Sequence, residues 1–221
     1  MIFKAHPVGE VAANYSLRIR CPSCRHKGTF EKIQNHDFQT SRPIAGKPNA
    51  TETVLMGQRR CPDPHCHAHV FFVTARNQVV VTYPAETIDF DSTSLPKPVI
   101  DAFEEAIICH ANNCYVASAI MVRKSLEELC RDRKAKGDNL KKRIEALGKN
   151  VVLPKELLDG IDDLRLLGND AAHIESQTFD QIGPEEVEIG IEFTKEVLKA
   201  VYQYGTLLER LRSLKKKSND G

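Results

Sequence analysis

The sequence predicts an α+β fold in two domains, a small β-rich domain over residues 1–92 and an all-α helical bundle over residues 93–221. Three observations carry this. Before residue 92 apolar residues alternate with polar ones around two closely spaced pairs of cysteines, whereas beyond it they recur every three or four positions. Between the two regimes runs YPAETIDFDSTSLPKPV, whose three prolines suit neither strand nor helix. A length of 221 residues fits two modest domains, and 41% hydrophobic with 28% charged residues describes a chain that folds.

Taken in order, YSLRIR at residues 15–20 alternates as a half-exposed strand does and runs straight into Cys21-Pro-Ser-Cys24. The following QNHDFQTSRPIAGKPNATE, residues 34–52, is rich in turn formers and poor in large apolar side chains, which predicts a long irregular excursion. A second strand, TVLMGQRR at 53–60, leads into Cys61-Pro-Asp-Pro-His-Cys66, and VFFVT and VVVTY joined by ARNQ read as a hairpin. Helical periodicity then marks 98–113, 115–135, 139–148, 154–167 and a long last helix opening at Pro184. In that last helix Val187, Ile191, Leu198, Val201, Leu208 and Leu211 form one apolar stripe. Glu185, Glu186 and Glu188 sit at its positive dipole end, and Arg210, Arg212 and Lys215 to Lys217 at its negative end, so helix polarity accounts for the basic tail. The chain shows no internal repeat.

The net charge of +1 excludes a uniformly basic duplex binder. Residues 1–95 carry 11 Lys/Arg against 8 Asp/Glu and the remainder 20 against 22, which leaves only a local cluster, Arg18, Arg20, Arg25, Lys27, Arg59 and Arg60, as a surface for polyanions. The opening MIFKAHPVGEVAANYS lacks the apolar core of a secretory signal, and no segment has the length of apolar residues that a membrane helix needs. The expected location is the cytoplasm, with no membrane partner. In a reducing compartment seven cysteines point to metal where they are paired at short spacing and to packing where they are not. Cys109, Cys114 and Cys130 are expected in the helical core. Cys109 and Cys114, if on one helix, would diverge by about 140° and share no metal.

Two turns that each donate two thiolates close a tetrahedron around zinc, and Cys21, Cys24, Cys61 and Cys66 have the spacing of a zinc ribbon. His26, His65, His67 and His69 compete with Cys66 for the fourth position. A closed set of four leaves no open coordination site, so the expected Zn2+ is structural.

The helical region concentrates polar residues in one place, Leu164-Arg165-Leu-Leu-Gly168-Asn169-Asp170-Ala171-Ala172-His173. Arg165, Asn169 and His173 fall at steps of four, and Ala171 and Ala172 permit close approach of another helix or subunit. The alternative is that Gly168-Asn169 ends one helix and Asp170 caps the next, leaving His173 an ordinary interface residue.

Arg123-Lys-Ser-Leu-Glu127-Glu-Leu-Cys, followed by Arg165 and Gly168-Asn169-Asp170-Ala-Ala-His173, resembles the prokaryotic family catalogued as domain of unknown function 4145, over essentially the whole C-terminal region. That family often follows a zinc ribbon and has been grouped with the HEPN superfamily, helical bundles many of which are dimeric, metal-independent ribonucleases of toxin and antiphage systems. The resemblance implies a homodimer through the helical domain, with RNA or DNA as partner. It assigns proton transfer to His173, phosphate binding to Arg165 and orientation to Asn169, with Arg123, Glu127 and Asp170 in support; Arg123 and Glu127 are expected as an ion pair. Related bundles that only bind or dimerise, some of them accessory to restriction systems, give the alternative reading. Seven residues separate Arg165 from His173, longer than that superfamily's usual spacing, which on an unbroken helix puts them about 12 Å apart along the axis. Either Gly168 breaks the helix or the arginine of one protomer meets the histidine of its mate.

Overall fold

Tertiary pairing overrides the local signals most clearly in the first half of the chain. The computed structural model describes residues 9–11, 15–33, 37–44, 46–47, 49–151, 153–172 and 182–217. The chain divides into two units, Met1–Asp89 and Phe90–Gly221, a curled β-sheet and an all-α bundle.

The sheet is antiparallel throughout and contains β1 (Gly9–Val11), β2 (Leu17–Arg20), β3 (Lys27–Lys32), β4 (Asp37–Pro43), β5 (Thr51–Arg60), β6 (His69–Ala75) and β7 (Gln78–Tyr83). The ten-residue β5 organises it. One edge pairs with β6 from Val54↔Ala75 to Arg60↔His69; the other pairs first with β4 and then, at Arg59 and Arg60, with β3. Leu17, Ile19, Phe30, Leu55, Val70 and Phe72 fill the core together with Cys21 and Cys61. The β6–β7 hairpin forms as the sequence predicts: Ala75 pairs with Gln78, and Arg76 and Asn77 between them both have positive φ, the backbone of a tight primed turn.

The irregular excursion expected at residues 34–52 is corrected by β4, which pairs with β5 from Phe38↔Met56 to Pro43↔Thr51. Its inward side chains, Asp37 and Thr40, are polar, so the apolar alternation that marks a strand is missing. What replaces it is an ion pair. Asp37 accepts from Arg59 Nη1 at 2.6 Å and Nη2 at 3.0 Å, and the same guanidinium donates to the carbonyls of Tyr15 and Gln58 and lies 4.5 Å from the Phe72 ring centre. Both partners are 1% exposed. Gly57 makes room, since a Cβ there would fall 2.1 Å from Asp37 Oδ1.

The second unit contains α1 (Lys97–Ala111), α2 (Tyr115–Asp132), α3 (Leu140–Asn150), α4 (Lys155–Ala172), α5 (Pro184–Leu198), a π turn (Lys199–Gln203) and α6 (Tyr204–Lys217). Helix α2 is central, packing on α1, α3, α4 and α5 through Ala119, Val122, Leu126, Leu129 and Cys130. Val99, Phe103, Ile107, Leu147, Ile161, Leu167, Val187 and Ile191 close the core around it.

Three expectations change here. Helix α4 runs unbroken through Gly168, Asn169 and Asp170, so Gly168 is not a helix end. A Cβ on Gly168 would lie 2.4 Å from Arg123 Cβ and 2.9 Å from Ala119 O, so its bare face is what lets α4 rest on α2; the close approach expected at Ala171 and Ala172 occurs there instead. The long last helix is interrupted by the π turn, whose extra residue rotates α6 about the helix axis by about 100°. Val187, Ile191 and Leu198 are buried, but Leu208 and Leu211 are 51% and 58% exposed. Cys130 alone of the three helical cysteines is fully buried, and burial pushes its thiol up to about 11. Cys109 and Cys114 belong to different elements: α1 ends in a Schellman motif in which Cys114 N donates to Cys109 O and Asn113 N to His110 O, with Asn113 left-handed, leaving Cys114 exposed at the start of α2.

Candidate functional site

The two cysteine turns converge. The Sγ atoms of Cys21, Cys24, Cys61 and Cys66 all lie within 4.8 Å of one another, with Cys21–Cys66 at 3.8 Å and Cys24–Cys61 at 3.7 Å. Those separations far exceed a disulfide bond of about 2.0 Å. They match the edge of about 3.8 Å that a thiolate tetrahedron has when each metal–sulfur bond is about 2.3 Å. The group can therefore chelate a metal ion. No histidine belongs to it among the described residues, and His69 instead shares a 2.8 Å hydrogen bond with Gln58.

Local backbone explains the convergence. In the first turn Arg25 N donates to Cys21 O at 3.0 Å, Ser23 N points at Cys21 Sγ at 3.4 Å, and Arg25 takes a positive φ. The second turn repeats the pattern with Asp63 in the place of Cys21: His67 N donates to Asp63 O, and His67 takes the positive φ. Cys61 then reaches the centre from two residues further back, which is why four residues separate this pair rather than two. Cys21 and Cys61 are both 0% exposed and belong to the core of the sheet, so metal site and core are one structure. Burial drives the Cys61 thiol up to about 12, while a hydrogen bond from the Ala68 backbone holds Cys66 down near about 7.

Three of the six basic residues expected to cluster around this centre are engaged by carboxylates, while Arg18 and Lys27 are exposed. Arg59 is withdrawn into the interior by Asp37, Arg60 pairs with Glu31 at 2.6 Å, and Arg20 pairs with Asp89 at 3.3 Å.

In the helical unit, Arg165 and Asn169 stand one turn apart on α4, both half-buried. Arg123 on α2 pairs with Glu127 at 3.4 Å, the ion pair expected from the sequence, and extends Nη1 to the backbone oxygen of Arg165 at 3.4 Å, tying α2 to α4 beside the cluster. Asp170 follows on the same helix. His173 lies outside the described residues. The partner that sequence reasoning missed is Asp162: Arg165 Nε donates to Asp162 Oδ1 at 2.6 Å and Nη2 reaches Oδ2 at 3.4 Å. That guanidinium holds the Asp162 carboxyl below its ordinary range. A carboxylate three residues before an arginine on a helix was the available signal.

Among the described residues no helix is long and apolar enough to cross a membrane. No curated protein and no solved structure matches the chain significantly. Residues 104–217 match the family described as Domain of unknown function (DUF4145). The match begins within α1 and ends with α6, taking in the Arg123–Glu127 pair, Arg165 and Asn169, and it spans just over half of the chain. That match, carried by the helical bundle, makes the chain a member of the DUF4145 family.

Proposed function

We propose that the helical unit is a metal-independent endoribonuclease acting as a homodimer in the cytoplasm, in the manner of prokaryotic antiphage or toxin systems. The cysteine centre holds a structural Zn2+, and its sheet directs the enzyme to a nucleic acid or a partner. The observation that carries this reading is Arg165: a half-buried guanidinium, 17% exposed, braced through its own backbone by Arg123 and already engaged edge-on by a carboxylate. A phosphate offers the same two-oxygen edge as Asp162, so RNA would exchange for that carboxylate on a preformed fork. In the reaction the ribose 2′-oxygen bonds to phosphorus as the bond from phosphorus to the 5′-oxygen breaks. His173 takes the proton from the 2′-hydroxyl or supplies one to the departing 5′-oxygen, water exchanging the other proton, and Arg165 stabilises the charge that builds between them. Asn169, one turn from Arg165, orients either group. Because α4 runs without a break at Gly168, no bend there brings the residues after it back toward Arg165, and this reading takes the arginine and histidine that share a phosphate from opposite protomers.

The second reading is a nucleic-acid-binding or dimerisation module without catalysis, accessory to a restriction system; the Arg165–Asp162 pair favours it, since a satisfied arginine needs no substrate. Incubation of the metal-loaded chain with structured and single-stranded RNAs, without added divalent ions, separates the two. Cleavage that leaves 2′,3′-cyclic phosphate ends and falls by at least about 100-fold in His173→Ala and in Arg165→Ala is the expected result. Cleavage that persists in both variants, or none by the wild type, overturns the enzyme reading.

A further inference from the structure

A cavity of about 690 Å³ opens where α2 ends and the chain turns into α3. We propose that it binds the phosphodiester backbone of a single-stranded nucleic acid, leading the strand toward the cluster on α4; as an RNA track it rests on the ribonuclease reading, and as a binding site it stands without it.

The lining is cationic. Lys124, Arg131, Lys134, Lys136 and Arg143 face the space against two carboxylates, Glu127 and Glu128. Those carboxylates are already engaged. Glu128 is largely buried, pairing with Lys124 at 3.1 Å and with Arg131, so it fixes two cations in the wall; Glu127 pairs with Arg123. Lys134 and Lys136 are exposed and have no carboxylate within ion-pair distance among the described residues. The shape is held by specific bonds rather than by chance packing. Helix α2 ends in a Schellman motif with Lys134 left-handed, and Arg143 Nε donates to Gly137 O at 3.1 Å, pinning the loop onto α3.

The chemistry selects the ligand class. Among the described residues no aromatic ring and no amide or hydroxyl side chain lines the cavity, so it offers no aromatic platform on which a base could stack. Ammonium and guanidinium groups recognise phosphate, and five cations spread around a site with no aromatic platform suit a continuous backbone better than a single free nucleotide. Glu127 is shared between this cavity and the Arg123 pair that braces α4, so cavity and cluster adjoin along one face of α2.

The test is fluorescence anisotropy of the metal-loaded full chain with a labelled, uncleavable 2′-O-methyl RNA single strand over a range of salt, beside Lys134→Gln/Lys136→Gln and the charge-preserving Lys134→Arg/Lys136→Arg. The glutamine variant should bind about tenfold more weakly and lose about 1.4 from the slope of log affinity against log salt, two contacts of about 0.7 each for a single strand. The arginine variant should bind as the wild type does, which separates lost charge from lost folding. Equal affinity and slope in the glutamine variant overturns the proposal, as does displacement of the RNA by equimolar mononucleotide or pyrophosphate. Because the probe cannot be cleaved, loss of binding in the glutamine variant supports the site even if the wild type cleaves no RNA, and unaltered binding removes the site even if His173→Ala abolishes cleavage.

Discussion

Asp37 and Arg59 show how far a single residue's role depends on a partner distant in sequence. Read alone, Arg59 belongs with its neighbour Arg60 in a basic surface cluster and Asp37 sits in a turn-rich stretch. Brought together across the sheet they become the most buried charges of the β unit among the described residues, joined by two hydrogen bonds and roofed by Phe72. Removing one member strands the other in the interior, at a cost of about 3–5 kcal/mol, whereas replacing both with apolar residues is far milder. Asp37→Ala should therefore accelerate native-state hydrogen exchange at the β5 amides by more than a hundredfold, and Asp37→Ala/Arg59→Met should recover most of the protection. Unchanged exchange in Asp37→Ala would show that Arg59 is not stranded by the loss of its partner. The pair was illegible beforehand because its energy lies in a contact across 22 residues, not in either residue's local pattern.

At the scale of elements, legibility follows the same division. The β6–β7 hairpin, the four cysteines and the helices up to α4 announce themselves through turn residues, spacing and apolar period, all local. Strand β4 and the π turn do not, because each depends on what it packs against. In the π turn, Arg133 Nη2 donates to Val201 O at 3.2 Å and lies over the Tyr202 ring, whose hydroxyl donates to Asp132 at 2.9 Å. Three contacts to the end of α2 thus hold a distortion that the apolar stripe alone would not produce. Gly168 is the converse case, a residue noticed in the sequence but given the wrong purpose. Its place is the α2–α4 crossing, where any side chain must push Arg123 and the Ala119 carbonyl away. Gly168→Ala should cost about 1–3 kcal/mol of helical-unit stability by overpacking, despite alanine's better helix propensity. Urea melting followed by helical dichroism measures this, and a variant as stable as the wild type or more so would mean that the two helices separate without penalty.

Across the whole molecule, the two units differ in what keeps them folded. The helical core is built from aliphatic and aromatic side chains on five helices and includes none of the four clustered cysteines. The β unit places two of those cysteines, Cys21 and Cys61, inside its core, beside a buried ion pair that contributes little net stability. A structural thiolate site supplies roughly 10–16 kcal/mol of apparent binding free energy, comparable to or above the roughly 5–15 kcal/mol that holds an ordinary domain together. Chelation should therefore act on one unit. Stripping the metal should expose all four thiols to a thiol reagent and abolish exchange protection along β5 and β6, while most of the helical dichroism persists. Intact β5–β6 protection after complete metal removal would mean that Leu17, Phe30, Val70 and Phe72 suffice to fold the sheet, and that the four cysteines serve something other than its stability.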